Sequence, residues 1–140
     1  MSNAKEVVRK VEEAWARDDL AALGGLVAAD IVNHDAPPAF PTGFEGAKFG
    51  HSMFKASFPD RHMSIEQVTG DGDLVAVRTV VRGTHMGADF LGIPAIGKQV
   101  QVEGISLYRV AGGRVVEHWG LNDGLGLMMQ LGAVAPPVSA

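Results

Sequence analysis

The sequence changes its hydrophobic period once, at Phe58-Pro59-Asp60, and that change limits the folds open to it. Before it, apolar residues recur at helical spacing; after it, they alternate as strands do. Over 5–17 the apolar positions are Val7, Val8, Val11, Ala14 and Trp15, one face of a helix, with Asn3 and Glu6 spaced as a capping box. Asp18 or Asp19 is placed to cap a second, short helix through Leu20, Leu23 and Leu26. Residues 31–35 read as a brief extended segment. Pro37, Pro38 and Pro41 then force a loop, and the pattern predicts a third helix from about 45 to 57.

Four strand-like runs follow, over 62–69, 74–85, 98–110 and 114–123. Gly70-Asp71-Gly72-Asp73 and Gly112-Gly113 supply hairpin turns, so the runs predict an antiparallel meander. Helices first and a curved antiparallel sheet second give an α+β domain, with three N-terminal helices packed on the concave face of a cone-shaped sheet. The connection over 86–97 is longer than a turn needs, which suggests a functional rim. One domain over 1–140 is expected, with 133–140 as a flexible tail.

A chain of 140 residues buries roughly two thirds of its unfolded surface and needs no staples. With no cysteine it forms neither a disulfide nor a thiolate metal site, which fits a reducing compartment. A net charge of −4 argues against a nucleic-acid partner. Neither a leader pattern nor an 18-residue apolar run is present, so the expectation is a cytoplasmic protein with no membrane partner. No two of the five histidines have the i, i+4 spacing of a helical zinc site, and no metal is expected.

The first candidate for chemistry is Asp123. Period-2 geometry along the last strand puts it on the face of Trp119 and Leu121, where a carboxylate is costly unless it has a task. Its ordinary alternative is the N-cap of the segment that follows. By the same parity His118 belongs to the opposite face. With a two-residue turn at Gly112-Gly113, Ser106 and Tyr108 share the face of Trp119 and supply hydroxyls. His34, in Asn33-His34-Asp35, is either pocket-lining or turn chemistry, and His85 either a site residue or a strand end. His51 lies beside Phe54 on the third helix. Arg78 interrupts an apolar strand and calls for a carboxylate, a ligand, or a half-exposed face.

Val32-Asn-His-Asp, Phe58-Pro-Asp, Asp73-Leu-Val-Ala-Val-Arg, Gly83-Thr-His-Met-Gly, Gly92-Ile-Pro-Ala-Ile-Gly-Lys, Glu117-His-Trp with Asp123, and Gln130-Leu-Gly occur in that order. Together they resemble the SnoaL-like polyketide cyclases, whose cone-shaped fold is shared with nuclear transport factor 2 and ketosteroid isomerase. The resemblance implies a cofactor-free intramolecular aldol cyclisation, with Asp123 at the position of the family's general acid/base. His34 and His85 are the candidate partners of Asp123. Trp119, Phe54, His51, Arg78, Ser106 and Tyr108 are candidate binding residues for a hydrophobic small molecule. Two other readings stand beside it: a non-catalytic binding domain, and an epoxide hydrolase of the same fold with Arg78 in an Asp-Arg-Asp set. The sheet face away from the helices, carrying Val80, Arg82, Val116 and His118, is expected to dimerise.

Overall fold

The computed structural model describes residues 3–135. The element order is α1 (Ala4–Ala16), α2 (Leu20–Gly24), β1 (Val27–Asn33), α3 (Gly43–Ser57), β2 (His62–Asp71), β3 (Leu74–Thr84), β4 (Gln99–Ala111), β5 (Arg114–Asn122) and α4 (Gly124–Gln130). The expected helices and strands are all present, within a few residues of the bounds read from the sequence. Residues 136–140 of the expected tail lie outside the described residues. No helix among them is long and apolar enough to cross a membrane.

The sheet is open, curved and five-stranded, in the order β1-β5-β4-β3-β2. β2 to β5 form the antiparallel meander, and the two-residue Gly112-Gly113 turn has φ of +59° and +78°, a conformation that glycine adopts without strain. The short extended segment is the unexpected member. β1 joins the sheet edge parallel to β5, pairing Val32 with Glu117 and Asn33 with His118. A parallel pairing needs a long crossover, here everything between β1 and β5, so no local turn signal announces it.

The expected capping box is not made: Asn3 is the N-cap of α1 without a side-chain bond, whereas Asp19 does cap α2 by accepting from Ala22 N–H. One face of α1 packs Val8, Val11 and Ala14 against Val75, Val77, Tyr108 and Val115 of the sheet. A second cluster joins Phe58 to Val100, Val102, Leu127 and Leu131, with Phe54 and Phe90 against it. Leu127 and Leu131 bring α4 onto this cluster.

Register along the last hairpin differs from the simple expectation. Val110 pairs with Val115, but Arg109 pairs with Glu117, so Val116 is an extra residue on β5. Such a bulge inverts the alternation beyond it. His118, Gly120 and Asn122 consequently face the helices, opposite Tyr108, Ser106 and Gly104, while Trp119 and Leu121 face outward.

Candidate active site

Between the helices and the sheet lies a cavity of about 540 Å³. Most of its wall is apolar: Val11 and Trp15 from α1, Ile31 from β1, Phe54 from α3, Val102 from β4, and Leu127 and Met128 from α4. The connection after β3 adds Phe90 and Leu91 to the wall. The polar groups in the wall are Asn33, Asp35, His51, Arg61, Tyr108, His118 and Asn122.

The central pair is His118 and Asp35, with His118 Nδ1 3.2 Å from Asp35 Oδ1. Two strands bring them together. His118 comes inward because of the bulge at Val116, and Asp35 follows β1, in which Ile31 and Asn33 also face the cavity. The other ring nitrogen, Nε2, is 2.9 Å from the Ser106 hydroxyl. The Asp35 carboxylate accepts a hydrogen bond from Nδ1–H, which leaves Nε2 as the basic nitrogen with Ser106 donating to it. Gly120 makes room for the pair: a Cβ at that position would stand 2.7 Å from Asp35 Oδ2 and 2.9 Å from His118 Cε1.

Behind the pair is a buried acid. Tyr108 stacks at a tilt on His118, 4.7 Å between centroids, and its hydroxyl donates to Glu12 Oε1. Glu12 occupies the buried face of α1, one turn from Val8. Burial holds its carboxyl above the usual glutamate range, against the opposing pull of the Tyr108 bond and of His118 and Arg61. Burial, and then Glu12 itself, push the Tyr108 phenol well above its ordinary value. Asp35 moves the other way. Desolvation raises it, but the hydrogen bond and charge of His118, with a backbone amide and the charge of His34, together outweigh that, and the net shift is downward, toward the ionised form.

At the other side of the wall, Asp18 Oδ1 lies 2.5 Å from His51 Nε2, and Lys55 donates to Oδ2. Burial lowers His51, and Asp18 offsets it only in part. The His51 ring packs on Trp15 at 4.8 Å. Arg61 completes this cluster, with its Nη1 4.0 Å from Asp18 Oδ1.

Of the residues singled out in the sequence, His51, Phe54 and Tyr108 line the cavity and Ser106 adjoins it through His118. Asp123 is exposed and caps α4, its Oδ1 accepting from Gly126 N–H at 2.9 Å; its neighbours Asn122 and Gly124 reach the wall. Trp119 and His34 are on the outer face, stacked at 4.6 Å, with His34 Nε2 2.6 Å from Glu117 Oε2. They lie away from the cavity because the bulge turns Trp119 outward and strand alternation turns His34 out between Asn33 and Asp35. His118, assigned to the outer face by simple parity, is inside for the same reason. Arg78 is also on the outer face, bonded to Gln67 and Glu103 at 2.9 Å each. His85 is 1% exposed, stacked on Phe58, and its Nε2 is 2.9 Å from the Ala88 carbonyl. It ties the rim loop to the core.

Sequence reading did not single out Glu12, Asn33, Asp35 or Arg61, and it set His118 on the outer face. Glu12 carries the clearest available signal, an acidic residue one turn from Val8 on the apolar face.

The family model for SnoaL-like polyketide cyclases matches residues 5–131. The aklanonic acid methyl ester cyclase of Streptomyces peucetius is 25% identical over 145 residues, 97% of this chain and 95% of its own. Among solved structures, wild-type IdmH of Streptomyces antibioticus, described as a candidate polyketide cyclase, is 34% identical with a TM-score of 0.81, covering 94% of this chain and 99% of its own. AclR of Streptomyces galilaeus, described as a candidate hydroxylase, superposes at 0.83 with 25% identity, over 99% of this chain and 87% of its own. The chain belongs to the SnoaL-like polyketide cyclase family.

Proposed function

We propose that this chain is a cyclase-type enzyme that moves a proton on a mostly apolar carbonyl compound, with the His118–Asp35 pair as its acid–base unit. The observation that carries the reading is a hydrogen-bonded histidine–carboxylate pair set in the wall of an otherwise largely apolar cavity. Family membership, and the cyclase activity in the name of the Streptomyces peucetius relative, support the reaction type.

In the forward step Nε2 of His118 takes the proton from carbon next to a carbonyl, and Ser106 turns from donor to acceptor. Asp35 stabilises the imidazolium. The enolate carbon then attacks a second carbonyl of the same molecule, and the resulting alkoxide takes the proton back from His118, so no proton is gained or lost. The apolar wall folds the flexible substrate into the conformer that closes. Asn122, an amide in the same wall, is the proposed donor to the enolate oxygen.

The test is exchange of the α-proton of an aryl β-keto ester in deuterated buffer, followed by NMR. Wild type should speed exchange over buffer, and His118→Gln should slow it by about 10²-fold. Binding of the keto ester without faster exchange favours the second reading, a non-catalytic binding domain. One observation supports that reading: Asp123, the acid/base that the resemblance implied, accepts from a backbone amide as a helix cap.

We also propose a homodimer formed through the outer face, where Ile105 is 57% and Leu121 81% exposed beside Trp119 and Leu107.

A further inference from the structure

We infer that Arg61 binds a carboxylate of the ligand, so that the molecules this cavity takes are mostly apolar carbonyl compounds carrying one free acid group. The inference rests on the cavity being the ligand site proposed above.

Arg61 stands in the short link between α3 and β2, and its side chain is only 9% exposed. A guanidinium has five N–H donors and keeps its charge even when buried, so burial without a close carboxylate is costly. The partners Arg61 has are distant ones. Nη1 reaches the Trp15 carbonyl at 3.4 Å, and Nη2 reaches Met63 Sδ at 3.9 Å. The nearest acid, Asp18, is 4.0 Å away, and its two oxygens already serve His51 and Lys55. Charge-assisted bonds of a fork to a carboxylate run at about 2.7–2.9 Å, and none of these contacts is of that kind.

The local charge points the same way. Arg61 and Lys55 face one ionised aspartate, while burial favours the neutral forms of Glu12 and His51. Asp18 is thus shared by Lys55, His51 and Arg61, and Arg61 has no carboxylate of its own at bonding distance, a place that a ligand anion would fill. Arg61 and His118 line the same cavity, so one ligand lying in it would meet both. A substrate anchored by its acid at Arg61 would present its reacting carbonyl region to His118. Without such a cation an apolar pocket favours an ester over the corresponding acid, because the carboxylate must be desolvated. The sign of that preference is therefore diagnostic.

Isothermal titration with anthraquinone-2-carboxylate and its methyl ester measures it. In wild type the acid should bind at least about tenfold more tightly than the ester. Arg61→Gln should abolish that preference by weakening the acid alone, and Arg61→Lys should restore part of it. An ester bound as well as the acid by wild type overturns the inference, whether or not any variant folds, and leaves the cavity intact as a ligand site. Equal weakening of both ligands by Arg61→Gln also overturns it. Failure of both to bind removes the inference together with the cavity as binding site, whereas His118-dependent α-proton exchange reports on the catalytic reading separately.

Discussion

The Tyr108 hydroxyl and the Glu12 carboxyl meet between α1 and β4, in a place where both residues are almost wholly removed from water. The pH dependence of stability follows from the direction of the Glu12 shift. Its folded pKa is raised, so its contribution is complete below the ordinary value of 4.5 and is lost as pH rises through the folded value. Glu12→Gln keeps an acceptor for Tyr108 and removes that loss. Urea melts of the two proteins should agree below about pH 4 and diverge above it in favour of the variant, the gap levelling off once wild-type Glu12 is ionised. Asp18 and Asp35, both lowered, act in the opposite window, and the stability they give falls away in both proteins as pH drops through their folded values. A constant gap at all pH values would mean that Glu12 does not titrate in the fold.

Asp123 offers a clean separation of capping from catalysis. Asparagine caps helices about as well as aspartate, so Asp123→Asn should leave thermal stability within about 0.5 kcal/mol, while Asp123→Ala should cost about 1 kcal/mol. With the His118–Asp35 pair as the acid–base unit, α-proton exchange in Asp123→Asn should stay within about threefold of wild type, against a loss of about 10²-fold in Asp35→Asn. A large loss in Asp123→Asn with the fold intact would return the proton to Asp123.

Gly120→Ala tests the pair without removing either member. The new methyl carbon meets the far end of the Asp35 side chain, which can swing away cheaply, and the His118 ring, which cannot. Exchange should fall by at least about tenfold, since an acid–base group that is misplaced loses most of its 10²–10⁴-fold contribution, while circular dichroism stays unchanged. Undiminished exchange would show that Asp35 need not touch His118.

Assembly is checked by light scattering at micromolar concentration. A dimer through the outer face should give about twice the 14.7 kDa chain mass, and Leu121→Lys, in the middle of the exposed patch, should return the monomer without loss of the cavity. A wild-type monomer rules the interface out.

The fold was legible because its signals are local: the helical face through Val8 and Val11, the proline stop at Phe58-Pro59-Asp60, and the glycine turn at 112 and 113 each act within a few residues. The site was only partly legible because it depends on register. Asn33-His34-Asp35 is a sequence landmark, yet which of its members faces inward depends on a parallel pairing with β5 made across the whole domain. His118 and Trp119 were assigned to each other's faces because an extra residue in a strand leaves no mark in composition or turn chemistry. His51, Phe54 and Tyr108 were found because α3 is regular and the alternation along β4 is undisturbed, the bulge being on β5. Arg61 was missed since a charged residue next to a turn is ordinarily solvated.

The bulge at Val116 makes the strand that follows it behave like a text with a reading frame. In the present frame His118, Gly120 and Asn122 spell the chemistry of the interior, and Trp119 and Leu121 spell an exterior surface. Removing one residue there would shift the frame, carrying the indole into the cavity and the imidazole out to the water, with no change to either side chain. Within such a strand, a single insertion or deletion exchanges a domain's interior for its exterior, a far larger step than any substitution along it.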